Sequence, residues 1–170
     1  MRAMGAVNRL IGPMQLGYAT TDLDHAMEIW AEDFNATKFF VREAAPMAIT
    51  TASGPKTMEL RLAFAYVNGL MIELIEPVGG DIETYAEVLP EEGFGTVLHH
   101  TAFLLNGDLS EWDDLRDWMS TSGHPVVLEG AVEDQARFAY LDTRSRLGHH
   151  LEYIWWSKDR HAWMDDLPRF

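Results

Sequence analysis

The sequence predicts an α+β fold in which the order strand-helix-strand-strand-strand occurs twice. Two observations carry this. Apolar alternation, helical spacing and turn residues follow one another in the same order over 13–77 and 97–156. Equivalent landmarks also recur at matching spacing. Gly69 stands four residues before Glu73, and Gly148 four before Glu152. Asp22 and Asp108, at the two helix starts, follow Gln15 and His100 by seven and eight residues.

The elements follow in order. Residues 1–12 read as an N-terminal arm, and 14–20 (MQLGYAT) as a strand. Asp22 is a candidate N-cap for a helix carrying Leu23, Ala26, Met27 and Trp30 on one side and ending near Asn35. A strand is expected over 37–43, a loop over 44–56, and a long strand over 58–67. Asn68-Gly69 is the strongest hairpin signal in the chain, leading into a strand over 70–76 closed by Pro77. A connecting segment covers 78–96, with Asp81 capping a short helix over 82–89. The second half offers a strand over 98–105 and a helix capped by Asp108 that carries Leu109, Trp112, Leu115 and Met119. Strands follow over 125–129, 135–142 and 149–155, and the extension 157–170 has helical character over 158–164.

Composition narrows the function. The formal charge of −14 disfavours nucleic acids and anionic membrane surfaces as partners. With no cysteine, a metal could be held only by His, Glu, Asp or Gln. The first residues lack a long apolar core and a cleavage site, and no apolar run reaches the length of a membrane span, so a cytoplasmic address is expected.

Strand parity singles out four polar residues. Side chains alternate between faces along a strand. Gln15 shares a face with Gly17 and Ala19, Glu73 with Met71 and Ile75, His100 with Ala102 and Leu104, and Glu152 with His150 and Ile154. A carboxylate on an otherwise apolar face is costly unless it is paired or bound to a cation. Plainer roles stand beside this one: Gln15 as a strand hydrogen-bonder, and Glu73 or Glu76 as a solvated group. A register change of one residue would exchange His99 with His100, or His149 with His150.

Four segments carry a family resemblance. GPMQLGYATTDLDHAMEIW resembles the first strand and helix of vicinal oxygen chelate proteins, the superfamily of glyoxalases, bleomycin resistance proteins and methylmalonyl-CoA epimerases. NGLMIELIEP resembles their fourth strand, LHHTAFLL the fifth and GHHLEYI the eighth. The resemblance implies two βαβββ modules that form a curled mixed sheet around a cleft. It places one divalent ion (Zn, Ni, Co, Mn or Mg) on Gln15, Glu73, His100 and Glu152. It also implies proton transfer next to a carbonyl, with Glu152 as first candidate base and Glu73 as second. His150, Met71 and Phe103 are the candidate substrate-pocket residues.

The expected function is therefore a metal-dependent isomerase, epimerase or lyase, a homodimer acting on a small apolar or aromatic molecule. The alternative is a non-catalytic, drug-binding protein of the bleomycin-resistance type. A ferrous extradiol dioxygenase fits less well, because Gln15 leaves one His in the set where such a centre needs two. No basic cluster suited to the carboxylates of glutathione is evident.

Overall fold

The computed structural model describes residues 7–170. The first half contains β1 (Leu10–Thr20), α1 (Leu23–Phe34), β2 (Phe40–Arg42), β3 (Pro46–Thr51), β4 (Gly54–Val67) and β5 (Leu70–Gly80). A short α2 (Glu83–Ala86) leads into β6 (Thr96–Leu105), α3 (Ser110–Thr121), β7 (Val126–Val132) and β8 (Ala136–Leu141). The chain ends with α4 (Arg144–Leu147), β9 (His150–Trp156) and α5 (Lys158–Asp165). Among the described residues, no helix is long and apolar enough to cross a membrane.

The nine strands of the described residues form one mixed sheet in the order β2-β4-β3-β7-β8-β9-β6-β1-β5. An additional β4–β5 ladder curls the sheet back on itself. Eight strands thereby enclose an interior, and β2 is left at the edge of β4. The hairpin between β4 and β5 turns at Asn68 and Gly69, both with positive φ (51° and 83°), as a type I′ turn requires.

Alternation along each strand divides the core in two. Met58, Leu60, Leu62 and Phe64 of β4 point inward with Phe138 and Tyr140 of β8 and Ile154 and Trp156 of β9. Their odd-numbered or even-numbered neighbours point outward, where the two long helices cover them. Leu23, Ala26 and Trp30 of α1 bury against Ala63, Val67, Ile72 and Leu74. Trp112, Leu115 and Met119 of α3 bury against Ala139, Leu141, Tyr153 and Trp155. Each fully buried Leu, such as Leu23 or Leu115, contributes about 2–3 kcal/mol.

Asp22 caps α1 as its position suggested, its carboxylate accepting from the His25 backbone N–H at 3.0 Å. The helix stops at Asn35, which adopts the left-handed conformation (φ 58°).

Several expectations are corrected. Residues 1–6 of the arm lie outside the described residues, but β1 already begins at Leu10. The expected loop 44–56 contains β3, which pairs with both β4 and β7. Its prolines misled the reading: Pro46 opens β3 and Pro55 lies near the start of β4, at strand ends where proline is tolerated. With β2 it fills the place of a single strand beside β4. Pro77 does not end β5, because it faces Leu60 where the β4–β5 register shifts and relaxes the ladder. Asp108 does not cap α3 through its side chain: Leu109, 40% exposed, is the N-cap residue, and the Asp108 N–H instead donates to Glu111. Asp81 likewise does not cap α2, which spans four residues and has Ile82 before it.

Candidate metal centre

The four predicted ligands come together on the central strands β5, β1, β6 and β9. These strands are neighbours, with β1–β6 antiparallel and the two flanking ladders parallel. Their registers line up two rows across the sheet. One row reads Glu73, Gly17, His100, His150, and the other Met71, Gln15, Ala102, Glu152. The rows are related by the internal repeat, so Glu73 corresponds to Glu152 and Gln15 to His100. Each row also places a small residue, Gly17 or Ala102, beside a polar one. At Gly17 this is a strict requirement: a Cβ there would fall on the His100 imidazole, 2.5 Å from Nδ1 and closer still to Cε1 and Nε2.

All four residues are buried, with 9% or less of each exposed. His100 Nε2 lies 3.1 Å from Glu152 Oε2 and 3.4 Å from Glu73 Oε2. Gln15 Nε2 donates to Glu73 Oε2 at 2.5 Å. Yet neither His100 Nε2 nor Glu152 Oε2 makes a hydrogen bond within the described residues. The two atoms face each other at ion-pair distance without hydrogen-bond geometry, which leaves both open to a further partner.

One ligand atom from each of Glu73, His100 and Glu152 lies within 4.8 Å of the others. Ligands about 2.1 Å from a tetrahedral ion stand roughly 3–4 Å apart, so a divalent ion fits this spacing. Two carboxylates, an imidazole and an amide oxygen suit a borderline-to-hard cation.

The two carboxylates favour a positive charge at this point, as a proton on His100 or a cation in its place. Burial alone would lower the His100 pKa, but Glu152 and Glu73 outweigh it and hold the imidazole at about 9. Burial pushes the Glu152 carboxyl up, against the pull of His100 and with Glu73 adding to the rise.

The His99/His100 ambiguity disappears through a bulge. Gly17 faces His100 and Tyr18 faces Leu98, so His99 is an extra residue in β6 and both imidazoles turn inward. His99 Nε2–H donates to the Thr84 carbonyl at 3.0 Å. Its Nδ1, 3.0 Å from His100 Nδ1, is then the acceptor. His100 must carry its hydrogen on Nδ1 there, which turns Nε2 toward the two glutamates. Burial first, then the charge of His100, holds His99 well below the ordinary histidine range, consistent with a neutral acceptor.

The three pocket candidates separate. Phe103 is corrected: it lies on the opposite face of β6 and packs in the cluster under α3, 6.2 Å from the Tyr153 ring. Met71 is fully buried in the interior core. His150 is also fully buried, with both ring nitrogens unpartnered within the described residues and its ring 4.8 Å from His99. Neither borders the cavity beside the metal cluster.

That cavity, about 80 Å³, touches Gln15, Glu73 and Glu152 and is otherwise walled largely by inward side chains of β4, β8 and β9. Among the lining residues that the sequence did not single out are the polar Arg42, Tyr85, Tyr140 and Arg160. Tyr140 shares parity with Phe138 and was accessible to that argument. Tyr85, whose hydroxyl donates to that of Tyr140 at 3.1 Å, comes from a helix too short to show a period.

The enclosing mixed sheet, the outer helices and the buried Gln-Glu-His-Glu cluster define a protein of the glyoxalase-like class. The chain belongs to the Glyoxalase/Bleomycin resistance protein/Dioxygenase superfamily, which it matches over residues 14–140. Among solved structures it is similar to methylmalonyl-CoA epimerase from Mycobacterium tuberculosis, at 18% identity and a TM-score of 0.52, over 87% of this chain and 89% of that one. A hypothetical protein from Bacillus halodurans C-125 is similar at 17% identity and a TM-score of 0.56, over 85% and 93%. A variant of the Streptomyces coelicolor epimerase, in complex with 2-nitronate-propionyl-CoA, is similar at 18% identity and a TM-score of 0.52, over 85% and 93%. No curated protein matches the chain in sequence.

Proposed function

We propose that the chain is a divalent-metal-dependent isomerase, epimerase or lyase that moves a proton next to the carbonyl of a small, largely apolar molecule. The observation that carries this is the convergence of His100 Nε2 and the Glu73 and Glu152 carboxylates on one buried point, with two of those atoms lacking any hydrogen bond among the described residues. Gln15, Glu73, His100 and Glu152 would hold the ion. When bound, it would supply Lewis-acid polarisation of the substrate carbonyl.

The chain's own residues supply the rest. Glu152 is the first candidate base. Its buried carboxylate, with its raised pKa, is a stronger proton acceptor than one in water. The proton leaves the carbon beside the carbonyl for the carboxylate, and returns to the same carbon or to its neighbour. Glu73 is the second candidate, its carboxylate oriented by the Gln15 amide. The apolar wall of β4, β8 and β9 excludes water from the exchange.

The test combines metal content with one variant. Untagged protein is expected to carry close to one divalent ion per chain, or to gain thermal stability when Zn, Ni, Co or Mn is added. Glu152→Gln is expected to abolish turnover and preserve the far-UV circular dichroism. A chain that neither contains nor responds to any of these ions would instead be a non-catalytic binding protein with an apolar cavity.

A further inference from the structure

The cavity has a second polar feature, the pair Arg42 and Arg160 in its lining. β3 bridges β4 to β7, whereas β2 pairs only with β4 and leaves a gap in the wall. Helix α5 fills that gap, with Trp163 packed edge-on against Phe40 of β2 and Phe64 of β4. Arg42 on β2 and Arg160 on α5 flank it, and both line the same cavity as Glu73 and Glu152.

Neither arginine has a carboxylate partner among the described residues, although the chain carries 27 acidic side chains. Arg9, Arg61, Arg116, Arg144 and Arg169 all form ion pairs, and Arg137 and Arg146, which also lack one among the described residues, do not line the cavity. Arg160 is also partly desolvated, and its Nε is buried with no hydrogen-bond partner in the described residues. Its guanidinium carbon stacks 4.2 Å from the centre of the Trp163 ring. Stacking occupies the flat face of a guanidinium and leaves its N–H edge free for an acceptor lying in its plane. Burial, followed by the nearby charge of Arg42, pulls the Arg160 pKa down, while Glu73 across the cavity raises it in part, and an anion placed between the two arginines would offset their mutual repulsion.

We infer that Arg160 and Arg42 form an anion subsite under α5, which holds the carboxylate of a small oxo acid while its carbonyl faces Glu73 and Glu152. This rests on the reading that the cavity holds the substrate, and it narrows that substrate to an acid. A carboxylate matches the planar, two-pronged edge of a guanidinium. The limited volume of the cavity, about 80 Å³, suits a short acid.

The test is calorimetric titration of the chelator-treated full chain with 4-oxopentanoate, its uncharged methyl ester and its phosphonate analogue, 3-oxobutylphosphonate. Without an ion present, the outcome does not depend on the metal centre. The acid is expected to bind at least about tenfold more tightly than the ester. Arg160→Gln should remove that preference and leave ester binding unchanged, while Arg160→Lys should recover part of it. Arg42→Gln should weaken the acid alone, and it carries the test if Arg160→Gln does not fold. Equal binding of acid and ester, no binding of the acid up to about 10 mM, or equal weakening of both by Arg160→Gln would overturn the subsite. Tighter binding of the phosphonate than of the acid would overturn the carboxylate assignment. An arginine-dependent preference in a chain that takes up no metal would sustain the subsite and remove the metal-dependent function.

Discussion

Gly17→Ala should break the metal centre by contact with one residue. The backbone at Gly17 lies outside the left-handed region, so alanine is sterically acceptable to the main chain. The three nearest atoms to an added Cβ all belong to the His100 ring, at 2.5 Å or less, whereas carbon contacts settle near about 3.5 Å. The nearest ring atom, Cε1 at 2.0 Å, would have to retreat by about 1.5 Å. It has no room to do so, being fully buried with the Tyr140 ring 5.0 Å and the His99 ring 5.3 Å away. Overpacking of this kind costs about 1–3 kcal/mol. A shift of about 1.5 Å also exceeds the ~0.2 Å tolerance of a metal–nitrogen bond, so divalent-ion affinity should fall by at least ~100-fold. Chemical denaturation and competition titration with zinc measure the two effects. Repeating both in a His100→Ala background isolates the cause, because there the alanine should cost nothing in stability. An undiminished penalty in that background, or wild-type zinc affinity in Gly17→Ala, would refute the reasoning.

Three further outcomes are expected. His99→Phe removes the acceptor that directs the His100 hydrogen to Nδ1, and should lower zinc affinity by roughly 10–100-fold while the fold persists; calorimetry reads this. Gln15→His should retain an ion at the centre and change the order of preference among Zn, Ni, Co and Mn, measured by competitive uptake. Asp142 accepts from Arg144 through both carboxylate oxygens, and that side-chain contact is the main reason its pKa sits near 2 in place of 3.8. The depressed value means the pair contributes stability above about pH 4 and loses it as pH falls toward 2. Asp142→Asn should therefore cost ~1 kcal/mol at neutral pH, after allowance for solvent screening, and almost nothing near pH 2. Urea unfolding at both pH values checks this, and a penalty independent of pH would rule out the ion pair as its source.

Much of the centre was legible in the chain because strand alternation is a local property. Gln15, Glu73, His100 and Glu152 each lie on an apolar strand face, and the repeat of Gly-x-x-x-Glu marks two of them as equivalents. The α1 cap at Asp22 and the Asn68-Gly69 turn were legible for the same reason, since their causes lie within a few residues. Other features depended on partners distant in sequence. The β3 strand looked like a loop because its pairing energy comes from β4 and β7. The bulge that turns both His99 and His100 inward is visible only against the register of β1. Phe103 was assigned to the pocket although its parity with Ala102 and Leu104 put it on the other face, under α3. Arg42 and Arg160, 118 positions apart, showed no basic cluster until α5 closed over β2. The sequence by itself thus determined which faces of which strands carry polar groups. Only the tertiary structure decided which of those groups share one point in space, because convergence depends on register and on the closure of a sheet.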